Sequence, residues 1–270
     1  MLAAVGSYLD ARHHGGRWLV RVEDLDTPRV RPGSAADILR TLETLNLYWD
    51  GDVTYQSTRL PRYQAALAQL RERGLTFECS CSRQTVSAQG DRGYPGTCRE
   101  GPRRTGPTAT RFRVGSGALE FDDRIQGPCR QDLEPVGDVV IRRRDGLLAY
   151  QLAVVVDDAD QGITDVVRGA DLLESTPWQI QLQRALGLDS PRYAHLPVVT
   201  GPDGAKLAKS RCSLPPQLAN PGQILLQALV LLRQRPPAQL AGGTPAEVLK
   251  WAVSNWEPAN LHRIAAVPAI

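Results

Sequence analysis

Three cysteines and a tyrosine share one short stretch: Cys79-x-Cys81, then Tyr94-x-x-x-Cys98, with glycines between them. Thiolates at this spacing form a metal-binding pattern, and zinc is the ion they suit best. No histidine lies nearby, so the fourth ligand is an oxygen or a more distant sulfur. Tyr94 is one candidate, because a bound dication favours the phenolate of a group that otherwise titrates at about 10 in water. Asp91 and Cys129 compete for that place, and buried free thiols are the alternative to any metal at all.

A second cluster is cationic. Lysine occurs only at positions 206, 209 and 250 among 32 basic residues, so two of the three lysines fall within Gly204-Ala205-Lys206-Leu207-Ala208-Lys209-Ser210. A lysine kept where arginine is the default suits a phosphate that must be met by a compact point charge rather than a planar fork. The turn residues Thr200-Gly201-Pro202-Asp203-Gly204 place the pair on a loop, and a solvated loop is the plain alternative. Glu23, Asp24 and Asp26 follow a short apolar segment and could receive an ammonium or a metal, or serve as turn acids. Arg168 holds a similar position later and could grip a carboxylate, or form a structural ion pair. Asp157 and Asp158 read either as ribose ligands or as turn acids. Five arginines between 99 and 113 face a single acid, Glu100, which suits phosphate or a solvated face. His13, His14, His195 and His262 have no catalytic or ligand spacing and read as packing or surface residues.

The elements that would carry these groups alternate. Leu2, Val5 and Leu9 recur at helical spacing and stop at His13-His14-Gly15-Gly16; Trp18, Val20 and Val22 alternate as a strand ending at Glu23. Helices are expected over about 35–45, 59–73, 147–156, 178–186 (capped by Thr176-Pro177, stopped by Gly187), 221–232 (started by Asn220-Pro221) and 245–256 behind a Thr244-Pro-x-Glu247 capping box. Strands are expected over 163–167 and 194–199. This alternation predicts an α/β fold, a Rossmann-like doubly wound parallel sheet. The Gly-, Pro- and Cys-rich stretch from 76 to 146 reads as a zinc-binding insertion. The expected units are 1–75, the first half of the catalytic domain; 76–146, the insertion; 147–210, the second half ending at the lysine loop; and 211–270, a short helical C-terminal region.

Composition sets bounds on function. At 42% hydrophobic, 23% charged and net charge +3, the chain is an ordinary soluble protein for which nucleic acid is a permitted partner. No apolar run reaches the roughly 18 residues of a membrane span, and the start has no signal-peptide pattern, so a cytoplasmic protein with no membrane partner is expected. An odd cysteine count with three clustered fits metal binding in a reducing compartment better than disulfides.

The motifs together resemble a known family. Lys206-Leu207-Ala208-Lys209-Ser210 resembles the KMSKS signature of class I aminoacyl-tRNA synthetases, and Arg21-Val22-Glu23-Asp24-Leu25-Asp26 is similar to the corresponding glutamyl-enzyme segment, as is Val156-Asp157-Asp158 through Arg168-Gly169-Ala170-Asp171-Leu172-Leu173 to Ser175-Thr176-Pro177. The resemblance covers essentially the whole chain. Within that group, Cys79-x-Cys81-Ser82-Arg83 with Tyr94-x-Gly96-Thr97-Cys98-Arg99, and an end soon after the lysine loop, look most like the glutamyl-queuosine tRNA(Asp) synthetase family, short paralogues without an anticodon-binding domain.

The resemblance implies an ATP-dependent ligase that makes glutamyl-adenylate and transfers the glutamyl group to queuosine at the wobble position of tRNA(Asp). It implies Glu23, Tyr150 and Arg168 as glutamate contacts, Lys206 and Lys209 as catalytic lysines with Lys209 on ATP, and Cys79, Cys81, Tyr94 and Cys98 around one Zn2+ per chain. ATP with Mg2+, glutamate and tRNA(Asp) would be the partners of a monomer. The family's opening strand and histidine-containing HIGH-type loop find no counterpart after Met1, from which a late start codon or a fragment is expected, with poor folding and weak glutamate activation. Two rival readings remain: the catalytic fragment of a glutamyl-tRNA synthetase charging tRNA(Glu), and a non-catalytic zinc-dependent RNA-binding protein.

Overall fold

A computed structural model describes residues 1–87, 93–201 and 220–269. The elements run α1 (Leu2–His13), β1 (Arg21–Val22), α2 (Ser34–Thr44), β2 (Thr54–Tyr55), α3 (Leu60–Glu72), β3 (Thr76–Cys79), α4 (Arg83–Ser87), β4 (Ala109–Phe112), β5 (Ala118–Asp123), β6 (Gly127–Asp132), α5 (Leu133–Val136) and β7 (Val139–Arg142). They continue with α6 (Tyr150–Asp160), β8 (Asp165–Gly169), α7 (Thr176–Leu186), β9 (Arg192–Leu196), β10 (Val198–Thr200), α8 (Pro221–Leu231), α9 (Pro245–Ser254) and β11 (Ala266–Pro268).

Helix boundaries follow their local chemistry. Prolines begin α8 and α9, and Pro177 is the second residue of α7, whose cap is Ser175 rather than the expected Thr176; in the first turn a missing N–H costs nothing, Asn220 accepts from the Gln223 N–H, and Thr244 and Glu247 form a reciprocal capping box. Gly187 closes α7 with φ 71°, left-handed backbone that suits glycine. The helix expected from Leu147 begins three residues later, at Tyr150, because Leu148 first bridges to Arg142 and the Ala149 N–H reaches back to the Ile141 carbonyl.

The sheets are mixed, and this corrects the expectation of one doubly wound parallel sheet. Among the described residues there are two-stranded parallel pairs β1-β2 and β10-β11, an antiparallel sheet β3-β4-β7, and a four-stranded sheet β6-β5-β9-β8 in which β5-β9 and β8-β9 are parallel. No backbone ladder joins β1 to β8. Arg21 on β1 instead reaches across with its side chain, donating to Gln161 at 2.7 Å and pairing with Asp158 at 2.9 Å. Residues 118–132, placed by sequence inside the insertion, form the β5-β6 hairpin that pairs with β9.

Two apolar cores hold these pieces. One gathers α3, α6 and α7 with Phe112, Val114 and Ile141; the other packs Val5 and Leu9 of α1 with Leu225, Leu229, Val248 and Trp256 of the C-terminal region. Gly6 lets α1 approach β9, since a Cβ there would lie 2.5 Å from Leu196 Cδ1. A buried polar clasp seals the second core. Asp10 accepts from Arg124 at 2.7 and 2.9 Å and from the Trp256 indole at 3.0 Å. No helix of the described residues is long and apolar enough to cross a membrane.

Candidate active site and metal centre

The cysteine cluster forms at the edge of the β3-β4-β7 sheet. Cys79 ends β3, Cys81 follows it, and the three sulfurs of Cys79, Cys81 and Cys98 lie within 4.8 Å of one another. Tyr94 is brought in by a bridge to Gly137, which has φ 70° and lies so close that a Cβ would sit 2.5 Å from the Tyr94 nitrogen. Its hydroxyl oxygen stands 3.4 Å from Cys79 Sγ and 3.8 Å from Cys81 Sγ, and accepts the Cys98 N–H at 2.7 Å. Cys81 and Cys98 are 3.6 Å apart. These four donor atoms can hold a metal ion. Cys129 sits elsewhere, on β6 opposite Phe121, and Asp91 lies outside the described residues. Burial raises the Cys98 pKa, but hydrogen bonds from the Tyr94 hydroxyl and the Ser80 and Arg103 backbone outweigh it and bring the thiol to about 6.

The arginine run turns out to brace this cluster. The Arg111 guanidinium lies 3.8 Å over the Tyr94 ring and donates to the Asp138 carbonyl at 2.6 Å. Arg99 forks onto the buried Asp138 carboxylate at 2.7 and 2.6 Å, and Arg113 lies over Phe77 while donating to the Arg99 carbonyl. Arg144 donates to the Ser80 carbonyl between the first two cysteines. Among the five arginines of the run, 99, 111 and 113 are therefore committed to internal partners.

A second group of charged and phenolic side chains comes from the ends of β1, α6 and β8, close enough to shift one another's pKa. Of the three acids after β1, Asp24 is used by the Ser57 N–H and hydroxyl at 2.8 and 2.6 Å, and Asp26 pairs with Arg143 at 2.9 Å. No hydrogen bond joins Glu23 to another described residue. Glu23 is accessible to solvent as a residue, but protein crowding around its carboxyl raises its pKa: desolvation leads, Arg21 opposes it, Asp158 and Asp157 add to it, and Arg168 pulls the other way. Tyr150, the first residue of α6, is pushed up by burial and then by Glu23, while Arg168 opposes. Glu23, Tyr150 and Arg168 are thus near enough to one another to influence each other's charge.

Arg168 decides the character of that group. It is 9% exposed, and no carboxylate among the described residues lies within ion-pairing distance. Its Nε donates to His195 Nε2 at 3.0 Å, Nη1 to Gln179 at 2.7 Å, and Nη2 to Thr176 at 2.9 Å and the Leu172 carbonyl at 3.3 Å, all neutral acceptors. A buried cation with no close carboxylate is costly, which makes Arg168 a candidate to receive a negatively charged group. Among the described residues, Arg168 forms no ion pair.

Other residues settle differently. Asp157 is fully buried and bonded to Gln56, Arg59 and Tyr63, so it is not free to hold a ribose; Asp158 is nearly buried against Arg21. His195, read from sequence as a packing residue, is buried with Nδ1 2.6 Å from Asp123 Oδ2 and Nε2 facing Arg168. Asp123, His195 and Gln179 carry no local motif, and Thr176 reads in sequence only as the cap of the following helix. Their only signal in sequence is polarity inside otherwise apolar strands and a helix. Lys206 and Lys209 lie outside the described residues.

Residues 2–218 match the family model described as tRNA synthetases class I (E and Q), catalytic domain. The chain is 52% identical over 270 residues to a Glutamyl-Q tRNA(Asp) synthetase of Pseudomonas aeruginosa, covering 99% of this chain and 92% of that protein. It is 51% identical over 281 residues to one from Geobacter sulfurreducens, covering 98% and 90%. In fold it is similar to a glutamate-tRNA synthetase structure from Elizabethkingia anophelis, with TM-score 0.80 and 22% identity, covering all of this chain and 64% of that one. The chain belongs to the class I tRNA synthetase family for glutamate and glutamine, and within it to the glutamyl-Q tRNA(Asp) synthetases.

Proposed function

We propose that this protein activates glutamate with ATP and transfers the glutamyl group to queuosine in the anticodon of tRNA(Asp). The observation that carries the reading is Arg168, a buried guanidinium whose hydrogen-bond partners are neutral and which pairs with no carboxylate among the described residues. In this reading Arg168 receives a glutamate carboxylate and Glu23 its ammonium, with Tyr150 closing the recess between them. The substrate's reacting carboxylate attacks the α-phosphorus of ATP, the bond to pyrophosphate breaks, and glutamyl-adenylate forms. A hydroxyl of the queuosine base then attacks the carbonyl carbon and AMP leaves. Lys206 and Lys209, on the KMSKS-like segment, would offset charge building on the departing pyrophosphate, with Mg2+ accompanying ATP.

Cys79, Cys81, Tyr94 and Cys98 would hold one Zn2+, whose contribution is to tie the loop after β3 to the loop carrying Tyr94 and Cys98. Dimensions support this. With Zn–S of about 2.3 Å and Zn–O of about 2.0 Å, a tetrahedron has S···S edges of about 3.8 Å and S···O edges of about 3.5 Å. The Cys81–Cys98 separation is 3.6 Å, and the tyrosine oxygen lies 3.4 and 3.8 Å from two sulfurs. Work as a cytoplasmic monomer belongs to the same proposal.

The test is ATP–pyrophosphate exchange with glutamate in the absence of tRNA, followed by transfer of labelled glutamate to tRNA(Asp) with and without queuosine. Exchange without tRNA and transfer only to the queuosine-bearing form are expected. Transfer to tRNA(Glu), or to tRNA(Asp) lacking queuosine, would overturn the assignment.

A further inference from the structure

Three adjacent strands of the four-stranded sheet place a carboxylate, an imidazole and a guanidinium in a buried line: Asp123 on β5, His195 on β9 and Arg168 on β8, exposed 3%, 0% and 9%. The direction of every hydrogen along this line is forced. A guanidinium only donates, so His195 Nε2, 3.0 Å from Arg168 Nε, must be an acceptor. The imidazole is then neutral with its proton on Nδ1, which donates to Asp123 Oδ2 at 2.6 Å. The other oxygen, Asp123 Oδ1, accepts from the backbone N–H of Ile125, Gln126 and His195 at 3.0, 2.8 and 3.1 Å, so the carboxylate cannot turn.

We propose that Asp123 and His195 are positioning residues that fix the imidazole tautomer and thereby aim Arg168 at the substrate carboxylate. This rests on the reading that Arg168 binds glutamate. With Nε on His195, one Nη1 hydrogen on Gln179 and both Nη2 hydrogens on Thr176 and Leu172, the remaining Nη1 hydrogen is the one left to point into the recess. Gln179 is held in turn by Gln151, to which its amide donates at 2.8 Å, so the acceptor orientation on that side is also set. Without the His195 acceptor the guanidinium loses the bond that fixes Nε and is held only through its Nη partners, so that hydrogen is less sharply aimed.

Asp123→Asn is the sharp perturbation. Three backbone donors hold the amide oxygen in the place of Oδ1, so the amide NH2 faces His195. The imidazole must then accept at Nδ1 and carry its proton on Nε2, where it meets the Arg168 Nε–H donor to donor. Affinities for L-glutamate and for ATP, measured separately by calorimetry on the full chain, give the readout. Asp123→Asn and His195→Ala should each weaken glutamate binding about 10- to 100-fold, the worth of a hydrogen bond to a charged group, with ATP affinity within about twofold. His195→Gln, which keeps an acceptor for Arg168 and a donor for Asp123, should stay within about threefold of wild type. Adding Asp123→Asn to His195→Ala should cost nothing more, because the carboxylate acts through the imidazole.

Additive losses, or equal losses for glutamate and ATP, would overturn the proposal. Arg168→Gln separates it from its premise. If that change leaves glutamate affinity intact, the reading of Arg168 fails; if it weakens binding while Asp123→Asn and His195→Ala do not, the positioning role fails alone. Should the variants not fold, nitrogen-15 spectra of the unaltered protein labelled at its four histidines decide the matter. His195 must appear as the neutral Nδ1–H tautomer, and an Nε2–H signal would refute it.

Discussion

Replacing Asp157 by alanine should destabilise the protein by about 3–5 kcal/mol, the cost of breaking a buried charge pair by removing one partner. The figure can be built from contacts. Asp157 is fully buried and accepts from Arg59 Nε at 2.6 Å, Gln56 Nε2 at 2.8 Å and the Tyr63 hydroxyl at 2.8 Å. Gln56 is 1% exposed and Tyr63 is fully buried, so neither can turn to water, and each unpaired group costs about 1–3 kcal/mol. Arg59 keeps Asp160 at 2.5 Å and loses less. Urea unfolding gives the result as a fall in the midpoint with the slope unchanged. Asp157→Asn, which keeps the shape and one acceptor, should cost less than half as much. A loss below about 1.5 kcal/mol for the alanine variant would refute the reasoning, since one orphaned donor alone should exceed much of that. Asp157→Asn should also leave ATP affinity unchanged, whereas a ribose ligand would lose it.

Other expectations can be checked directly. Cys98→Ser should abolish stoichiometric zinc in purified folded protein, while Tyr94→Phe should retain bound zinc with weaker affinity; metal analysis after dialysis against a chelator separates them. Asp10→Ala removes the acceptor shared by Arg124 and the Trp256 indole, and should cost about 3–5 kcal/mol with earlier proteolysis of the C-terminal region. The pH dependence has a definite sign. Burial, with Arg168 acting in the same sense, lowers the His195 pKa below 6.5 although Asp123 and Asp171 oppose it, so stability is complete above about 6.5 and falls below it as the unfolded chain takes up a proton the folded one refuses. Asp123 is carried from 3.8 to about 2, its own burial outweighed by bonds from His195 and the Gln126 N–H, so a further loss comes as pH falls from about 4 towards 2. Thermal midpoints against pH should show the upper step vanish in His195→Gln.

What the sequence reveals follows how far apart the interacting residues lie. Caps and stops act over a few residues, so Asn220, the Thr244–Glu247 box and Gly187 mark their helices within a residue of where they occur. The cysteine spacing likewise anticipates a cluster that the fold assembles, because three of its members fall within one hairpin-like excursion. Strand partnership is another matter. Nothing local in Ala118–Asp123 says that it pairs with β9, or that Ala266–Pro268 returns beside Val198–Thr200. The Asp123–His195 contact spans 72 positions, and His195 alternates within an apolar strand as a packing residue would. The acids after β1 were equivalent by sequence; only Ser57 and Arg143, brought from other segments, distinguish Asp24 and Asp26 from Glu23.

The use of arginine follows the same logic and gives the recess its selectivity. Arg21, Arg59, Arg99 and Arg124 each sit between segments distant in sequence and end on a carboxylate at 2.5–2.9 Å, so their charge is spent inside the fold. A forked cation with several fixed donors suits that task, because one side chain can satisfy acceptors on two elements at once. Arg168 has the same rigid fork and is more deeply buried, but its partners are an imidazole, an amide, a hydroxyl and a carbonyl. Those acceptors fix its orientation without neutralising it. On the proposed reading, a ligand carboxylate would meet a cation already desolvated, and the cost of burying that charge would be borne by folding rather than by binding. Glu23 opposite, left without a hydrogen-bonding partner among the described residues, gives the recess its second pole. On the proposed reading the two charges together would select a zwitterion over a simple acid: succinate, which lacks the ammonium, should bind more weakly than L-glutamate, and Glu23→Gln should narrow that difference.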